Sequence, residues 1–216
     1  MKALDQLCRA ALSSPPSQPA IEFEQHWVSW GEMRLLADQL ATLIDSSGSG
    51  QHPQVAFVAR NRPAAIAAFL GMLEKGCSVR MVYPFQSAQA IAQELERINP
   101  AVVIADAEDY AESIIKSLKS IGAVAIALQD METFIYAGLN TAPQARNNPG
   151  PPSVEILTSG TTGAPKAFSL GYDMIARHIV GPTELSADIR GAQAHKQVAS
   201  TSPAGKRTPV VEAPTF

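Results

Sequence analysis

The sequence has little of what marks several large classes of protein. Lysine and arginine number 17 against 20 aspartates and glutamates, giving a formal net charge of -3, and no basic run indicates a nucleic-acid-binding surface. No stretch of 18 or more apolar residues occurs, so we expect no membrane span. Residues 1–14 lack the apolar core and cleavage site of a signal peptide. We therefore expect a cytoplasmic protein that does not bind nucleic acid.

Cysteine and histidine are too few and too scattered to predict a metal or redox site. The two cysteines, Cys8 and Cys77, have no CxxC neighbour, and the apolar surroundings of Cys77 are typical of a small buried residue. The four histidines are isolated, so the sequence contains neither a Ser/His/Asp arrangement nor a His-x-x-x-His pair. We predict no protein-ligated metal.

Strand and helix signals alternate along the first two thirds of the chain. Hydrophobic residues make up 46% of the sequence, enough for a sizeable core. A continuous apolar run, typical of a buried parallel strand, occurs at residues 55–58, and further strands are predicted at residues 79–83, 101–105 and 123–128. Helical periodicity separates them, starting near Pro63, Ser87 and Tyr110. The alternation predicts the α/β class, with a mostly parallel sheet flanked by helices.

A hairpin and a capped helix precede this alternation. Residues 21–23 and 27–28 predict two short strands. Ser29 followed by Glu32 is the spacing of a capping box, which predicts a helix start.

A loop-forming stretch at residues 147–152 suggests a boundary between two domains. We predict an N-terminal α/β subdomain over residues 1–146, and the start of a second, incomplete subdomain over residues 147–216. Within the second, residues 154–157 and 167–170 predict strands, and residues 173–180 a short helix.

Three acidic residues, Asp106, Glu108 and Asp109, cluster after the strand predicted at 101–105. Such a cluster can bind a metal ion, but stabilisation of the following helix start is the favoured interpretation.

The segment richest in chemical groups runs from Thr158 to Lys166 and reads Thr-Ser-Gly-Thr-Thr-Gly-Ala-Pro-Lys. Glycines let backbone N–H groups converge on an anion. Hydroxyls donate to phosphate oxygens, and lysine adds a mobile positive charge. Together these groups predict a loop that closes on a polyphosphate.

Two other interpretations compete for this segment. A Walker A loop has four residues between its glycines, whereas only Thr161 and Thr162 separate Gly160 from Gly163. A solvent-exposed turn is the common fate of short Ser/Thr/Gly runs. A helix beginning directly at Lys166, in place of the predicted strand, would favour an unrelated phosphate-binding protein.

The nine-residue string resembles the phosphate-binding signature of the adenylate-forming (AMP-binding) superfamily. That superfamily includes acyl-CoA synthetases, aryl-CoA ligases, luciferases and peptide-synthetase adenylation domains. Weaker similarity extends over residues 27–33, 55–84 and 91–105, so that the resemblance covers most of residues 20–178. It implies the fold of the N-terminal subdomain of adenylate-forming enzymes. It also implies a catalytic role for Lys166, and the nucleotide-binding residues that it implies are Thr158, Ser159, Gly160, Thr161, Thr162, Gly163 and Lys166.

The resemblance also implies an activity, that of an acid–thiol ligase. Members of the superfamily use MgATP to convert a carboxylic acid into an acyl-adenylate, and a thiol then displaces AMP. ATP, Mg and coenzyme A are therefore the expected cofactors and co-substrates. A small carboxylic acid, fatty, aromatic or amino, is the expected substrate, and a carrier protein can replace coenzyme A as acceptor.

Later motifs of the superfamily do not occur in this sequence. These are an aromatic-Gly-x-Thr-Glu segment, an aspartate that holds the ribose, and a lysine in a C-terminal domain. We therefore expect a truncated portion that is weak or inactive alone. A non-catalytic remnant or interaction module is the alternative expectation.

Overall fold

The computed structural model describes residues 3–50, 52–137, 150–158 and 166–180. A 3-10 turn (Ala107–Asp109) precedes α5, and a π-helix (Ile175–Val180) follows α6. The other elements, in chain order, are α1 (Leu4–Leu12), β1 (Pro19–Phe23), β2 (His26–Ser29), α2 (Trp30–Ser46), β3 (Gln54–Val58), α3 (Pro63–Lys75), β4 (Ser78–Val82), α4 (Ala88–Ile98), β5 (Val102–Asp106), α5 (Glu112–Ile121), β6 (Val124–Gln129), β7 (Glu132–Ala137), β8 (Ser153–Thr158), β9 (Lys166–Gly171) and α6 (Tyr172–Met174).

Seven of these strands form one sheet in the order β7-β6-β5-β3-β4-β8-β9. The inner five strands pair in parallel. Strands β7 and β9 pair antiparallel at the two ends of this order, and β1 and β2 form a separate hairpin. The predicted α/β class, with a mostly parallel sheet, is confirmed.

Helices cover both faces of the sheet because its inner strands are apolar on both sides. Phe57 and Ile104 face a core shared with α2 and α3. Val58 and Val103 face the opposite core, shared with α4 and α5. Helix α1 packs through Leu4 and Cys8 against the end of α3, next to β8.

The predicted helix ends are largely confirmed. Ser29 caps α2, and its backbone N–H donates to Glu32 Oε2 at 2.7 Å in a capping box. Pro63 begins α3, and Gly76 ends it in the left-handed conformation at φ 77°, which glycine adopts without strain. The helix predicted to start at Tyr110 begins instead at Glu112.

Two elements were not predicted from the sequence, α1 and β7. The boundary predicted between residues 146 and 147 lies outside the described residues and stays a prediction. Strands β8 and β9, which follow it, belong to the same sheet as β3 to β7. None of the described helices is long and apolar enough to span a bilayer.

Candidate functional site

The predicted phosphate-binding loop connects β8 to β9. Strand β8 runs parallel to β4, so its last residue, Thr158, lies at the edge of the sheet where the parallel strands have their carboxyl ends. Open α/β sheets bind ligands at this edge. The strand predicted after the loop is confirmed, because β9 begins at Lys166.

Thr158 and Lys166 are brought directly opposite each other. They are register partners at the end of the β8–β9 hairpin where the two strands are connected, and the Thr158 hydroxyl donates to the Lys166 carbonyl oxygen at 3.2 Å. Both residues are exposed. Residues 159–165 lie outside the described residues, so the roles of Ser159, Gly160, Thr161, Thr162 and Gly163 remain predictions.

The paired register that joins this hairpin to the rest of the sheet is short. The register between β4 and β8 comprises only Val79 with Val154 and Arg80 with Glu155. Beyond the hairpin, the Tyr172 hydroxyl donates to the Cys77 carbonyl at 2.7 Å. The position of the loop therefore depends strongly on the contacts at the β4–β8 junction.

Arginine and acidic side chains pair with each other at the carboxyl ends of β3 and β5. The chain passes from β3 to β4 on one side and then to β5 on the other, which makes this a topological switch point, a common ligand site in such sheets. Here Arg60 and Arg62 follow β3, while Asp106 is the last residue of β5 and Glu108 and Asp109 lie in the 3-10 turn directly after it.

Each arginine engages this acidic cluster. Arg60 binds Asp109 through two nitrogens, with Nε donating to Oδ2 at 2.9 Å. Arg62 Nη1 lies 2.9 Å from Asp106 Oδ2. Burial raises the pKa of the Asp106 carboxyl, and the nearby Arg62 opposes that rise.

The acidic cluster is therefore paired with two arginines, and it lies at the 3-10 turn before α5 rather than in the first turn of α5. Among the described residues, no three histidine, cysteine or acidic side chains are grouped to hold a metal ion.

An exposed aromatic pair, missed by the sequence analysis, lies between this switch point and the hairpin. Tyr83 and Phe85 follow β4 and are 59% and 68% exposed. Their rings pack edge to face at 5.5 Å, and the guanidinium of Arg60 lies 5.7 Å from the centre of the Phe85 ring. Two aromatic residues around a proline, directly after an apolar run, were the available signal.

A cleft of about 780 Å³ lies at the opposite edge of the sheet. Its lining includes His52, Gly76 and Pro152, which precede β3, β4 and β8. Several of its charged side chains already have partners, as the pairs Lys75–Asp45 and Arg177–Asp173 show. This cleft contains no predicted site residue, and we place the candidate site at the carboxyl edge.

Comparison with known proteins agrees with this architecture. The family model of AMP-binding enzymes matches residues 8–212, so the chain belongs to that family. It is 27% identical to tyrocidine synthase 3 of Brevibacillus parabrevis over 175 residues, which cover 81% of this chain and 3% of the synthase.

Two further similarities are to a fatty-acid–CoA ligase and to the structure of an ATP-bound protein. The chain is 26% identical over 156 residues to the medium/long-chain-fatty-acid–CoA ligase FadD6 of Mycobacterium tuberculosis, covering 68% of this chain and 25% of the ligase. It superimposes on ATP-bound MatB from Rhodopseudomonas palustris with a TM-score of 0.60 at 19% identity, covering 81% of this chain and 36% of MatB. The chain thus spans well under half the length of these relatives.

Proposed function

We propose that this chain provides the ATP-binding part of an enzyme that activates a carboxylic acid as its acyl-adenylate. The observation that carries the proposal is the placement of Thr158 and Lys166 at the carboxyl edge of the sheet, as the two ends of a glycine- and hydroxyl-rich loop. Membership of the AMP-binding family and the likeness to an ATP-bound structure support it.

Within this proposal Lys166 supplies charge where pyrophosphate leaves. Its side chain begins at an exposed position of the hairpin, so its ammonium can approach the β- and γ-phosphates of ATP. A fixed cation at that place stabilises negative charge that develops during departure. The loop glycines, Gly160 and Gly163, would let backbone N–H groups reach the same oxygens.

We assign Thr158 a different role from that of the other hydroxyl residues of the loop. A threonine hydroxyl has one proton to donate, and in Thr158 that proton is directed to the Lys166 carbonyl. We therefore assign Thr158 to holding the two ends of the loop together. Ser159, Thr161 and Thr162 remain the proposed phosphate donors.

Thioester formation with coenzyme A is the second step that we propose, and Mg accompanies ATP in the first. The name of FadD6 supports coenzyme A as acceptor. Similarity to tyrocidine synthase 3 supports the competing acceptor, a carrier protein. Incubating the protein with MgATP, a panel of fatty, aromatic and amino acids, and either acceptor distinguishes the two by the thioester that forms.

Measurement of MgATP binding and of acid-dependent ATP–pyrophosphate exchange tests the first step. In Lys166→Ala, the loss of one charge-assisted hydrogen bond should weaken MgATP binding or slow exchange by about 10- to 100-fold. Lys116→Ala removes an equally exposed lysine on α5 and is the matched control. MgATP binding without exchange for any acid would favour a non-catalytic module, and equal values for both variants would refute the role of Lys166.

A further inference from the structure

Arg80 is a charged residue in the interior of the sheet. It occupies the middle of β4, between the apolar residues Val79 and Met81. Its side chain is only 7% exposed. The sequence predicts a strand over residues 79–83, and an arginine buried inside such a strand needs a specific explanation.

Acidic partners hold Arg80 from two directions. Glu155 of β8 is its direct register partner, and Arg80 Nη1 donates to the Glu155 carboxylate. Glu94 of α4 lies 3.5 Å from Arg80 Nη2. Glu94 also pairs with Arg97, so charges of alternating sign run from the surface of α4, through β4, to β8.

This arrangement is a poor means of stabilising the fold as a whole. Desolvating two charges offsets most of their attraction, and replacing a buried ion pair by apolar residues is often neutral or stabilising. Arg80 Nε is buried and has no hydrogen-bond partner among the described residues, which adds to the cost of burial. An apolar side chain at this position would serve the core at least as well.

What the ion pair can supply is a defined position for β8. Only two register pairs join β8 to β4, and Arg80 with Glu155 is the one nearer the loop. Glu155 is three residues before Thr158, the first residue of the predicted phosphate-binding loop. An ion pair between two strands resists a slip in register, because a shift of one residue moves each side chain to the other face.

We propose that Arg80 is a positioning residue for the two ends of the predicted phosphate-binding loop. Arg80 holds Glu155, and Glu155 in turn holds the β8–β9 hairpin on β4. The role in nucleotide binding rests on the function proposed above. The anchoring of the hairpin can be measured independently of that function.

Three variants distinguish a role of Arg80 in positioning the β8–β9 hairpin from a role in stabilising the fold. Arg80→Met removes the guanidinium and keeps an apolar chain of similar length. The double variant Arg80→Met/Glu155→Met also removes the carboxylate that would otherwise be left unpaired. Arg97→Met is the matched control, because it removes the other arginine on Glu94 and leaves the Arg80–Glu155 pair in place.

Hydrogen exchange of backbone amides, denaturant unfolding and MgATP binding are then measured on each protein. In the double variant we expect an unchanged or higher unfolding midpoint, since the buried arginine and the half-buried Glu155 are replaced by apolar groups. We nevertheless expect amide exchange in β8 and β9 about tenfold faster, with β5 and β6 unchanged, and a Kd for MgATP about tenfold higher, the factor equal to about 1.4 kcal/mol. Arg97→Met should match the unmutated protein in all three measurements.

Unchanged exchange in β8 and β9 of the double variant would overturn the proposal. So would faster exchange with no change in the Kd for MgATP. If the unmutated protein binds no MgATP, the function proposed above fails, and amide exchange still decides whether Arg80 anchors the hairpin. Should Arg80→Met alone fail to fold, the double variant carries the test.

Discussion

Replacement of Gly71 by alanine tests how closely α2 and α3 pack. A Cβ added at Gly71 would lie 3.0 Å from the Cβ and 3.1 Å from the Cα of Ala37 on α2. Alanine in a helix interior gains about 1 kcal/mol over glycine. Overpacking a core costs about 1–3 kcal/mol, and here the obstacle includes backbone, which no side-chain rotation can move. We therefore expect a cost in the upper part of that range, about 2–3 kcal/mol, and a net loss of about 1–2 kcal/mol.

Urea denaturation of Gly71→Ala, Ala37→Gly and the double variant measures this loss. For a protein of this size, about 1–2 kcal/mol corresponds to a fall in Tm of about 2–8 °C. The double variant moves the methyl group from one helix to the other, so it should recover to within about 0.5 kcal/mol of the unmutated protein, a non-additive result typical of residues in contact. A Gly71→Ala protein more stable than the unmutated one would refute the argument, because helix propensity would then outweigh the contact.

Two further predictions follow from pKa values in the structure. Hydrogen bonds from the Ser29 backbone and hydroxyl lower the pKa of Glu32 below its ordinary value of 4.5. The contribution of these hydrogen bonds to stability is present above about pH 4.5 and is lost as the pH falls through the lower, folded-state pKa. The difference in unfolding free energy between the unmutated protein and Glu32→Gln should therefore shrink on acidification. Above about pH 6 that difference should stay constant. Burial raises the pKa of Cys8 to about 11 and that of Cys77 to about 12, so a thiol reagent at about pH 8 should label neither cysteine until denaturant unfolds the protein; rapid labelling of the native state would contradict their burial.

Most of the fold could be predicted because its strands are buried on both faces. Continuous apolar runs identify such strands without any knowledge of their neighbours. Strand β7 was missed because it lies at one end of the sheet and exposes Phe134 and Tyr136, while the residues next to them are only half-buried. Its sequence therefore shows neither an alternation of apolar and polar residues nor a clear buried run. Helix α1 did carry a signal, since Leu4, Cys8 and Leu12 recur every four residues and are all buried.

Of the candidate site, the sequence indicates only the residues that lie close together along the chain. Glycines, hydroxyls and a lysine within nine positions indicate a phosphate-binding loop by composition alone. The ion pair of Arg60 with Asp109 joins residues 49 positions apart, and it depends on β5 lying beside β3, an order that no local pattern reveals. For the same reason, Arg80 gave no sequence signal of its link to Glu155.

Thr158 and Lys166 are paired directly opposite each other, so the pairing of β8 with β9 does not depend on the number of residues that connect them. Both strands are already paired up to these two residues, so residues can be added or removed between them without displacing any described strand. The pairing of the two strands therefore fixes where the connecting segment starts and ends, and leaves its length free.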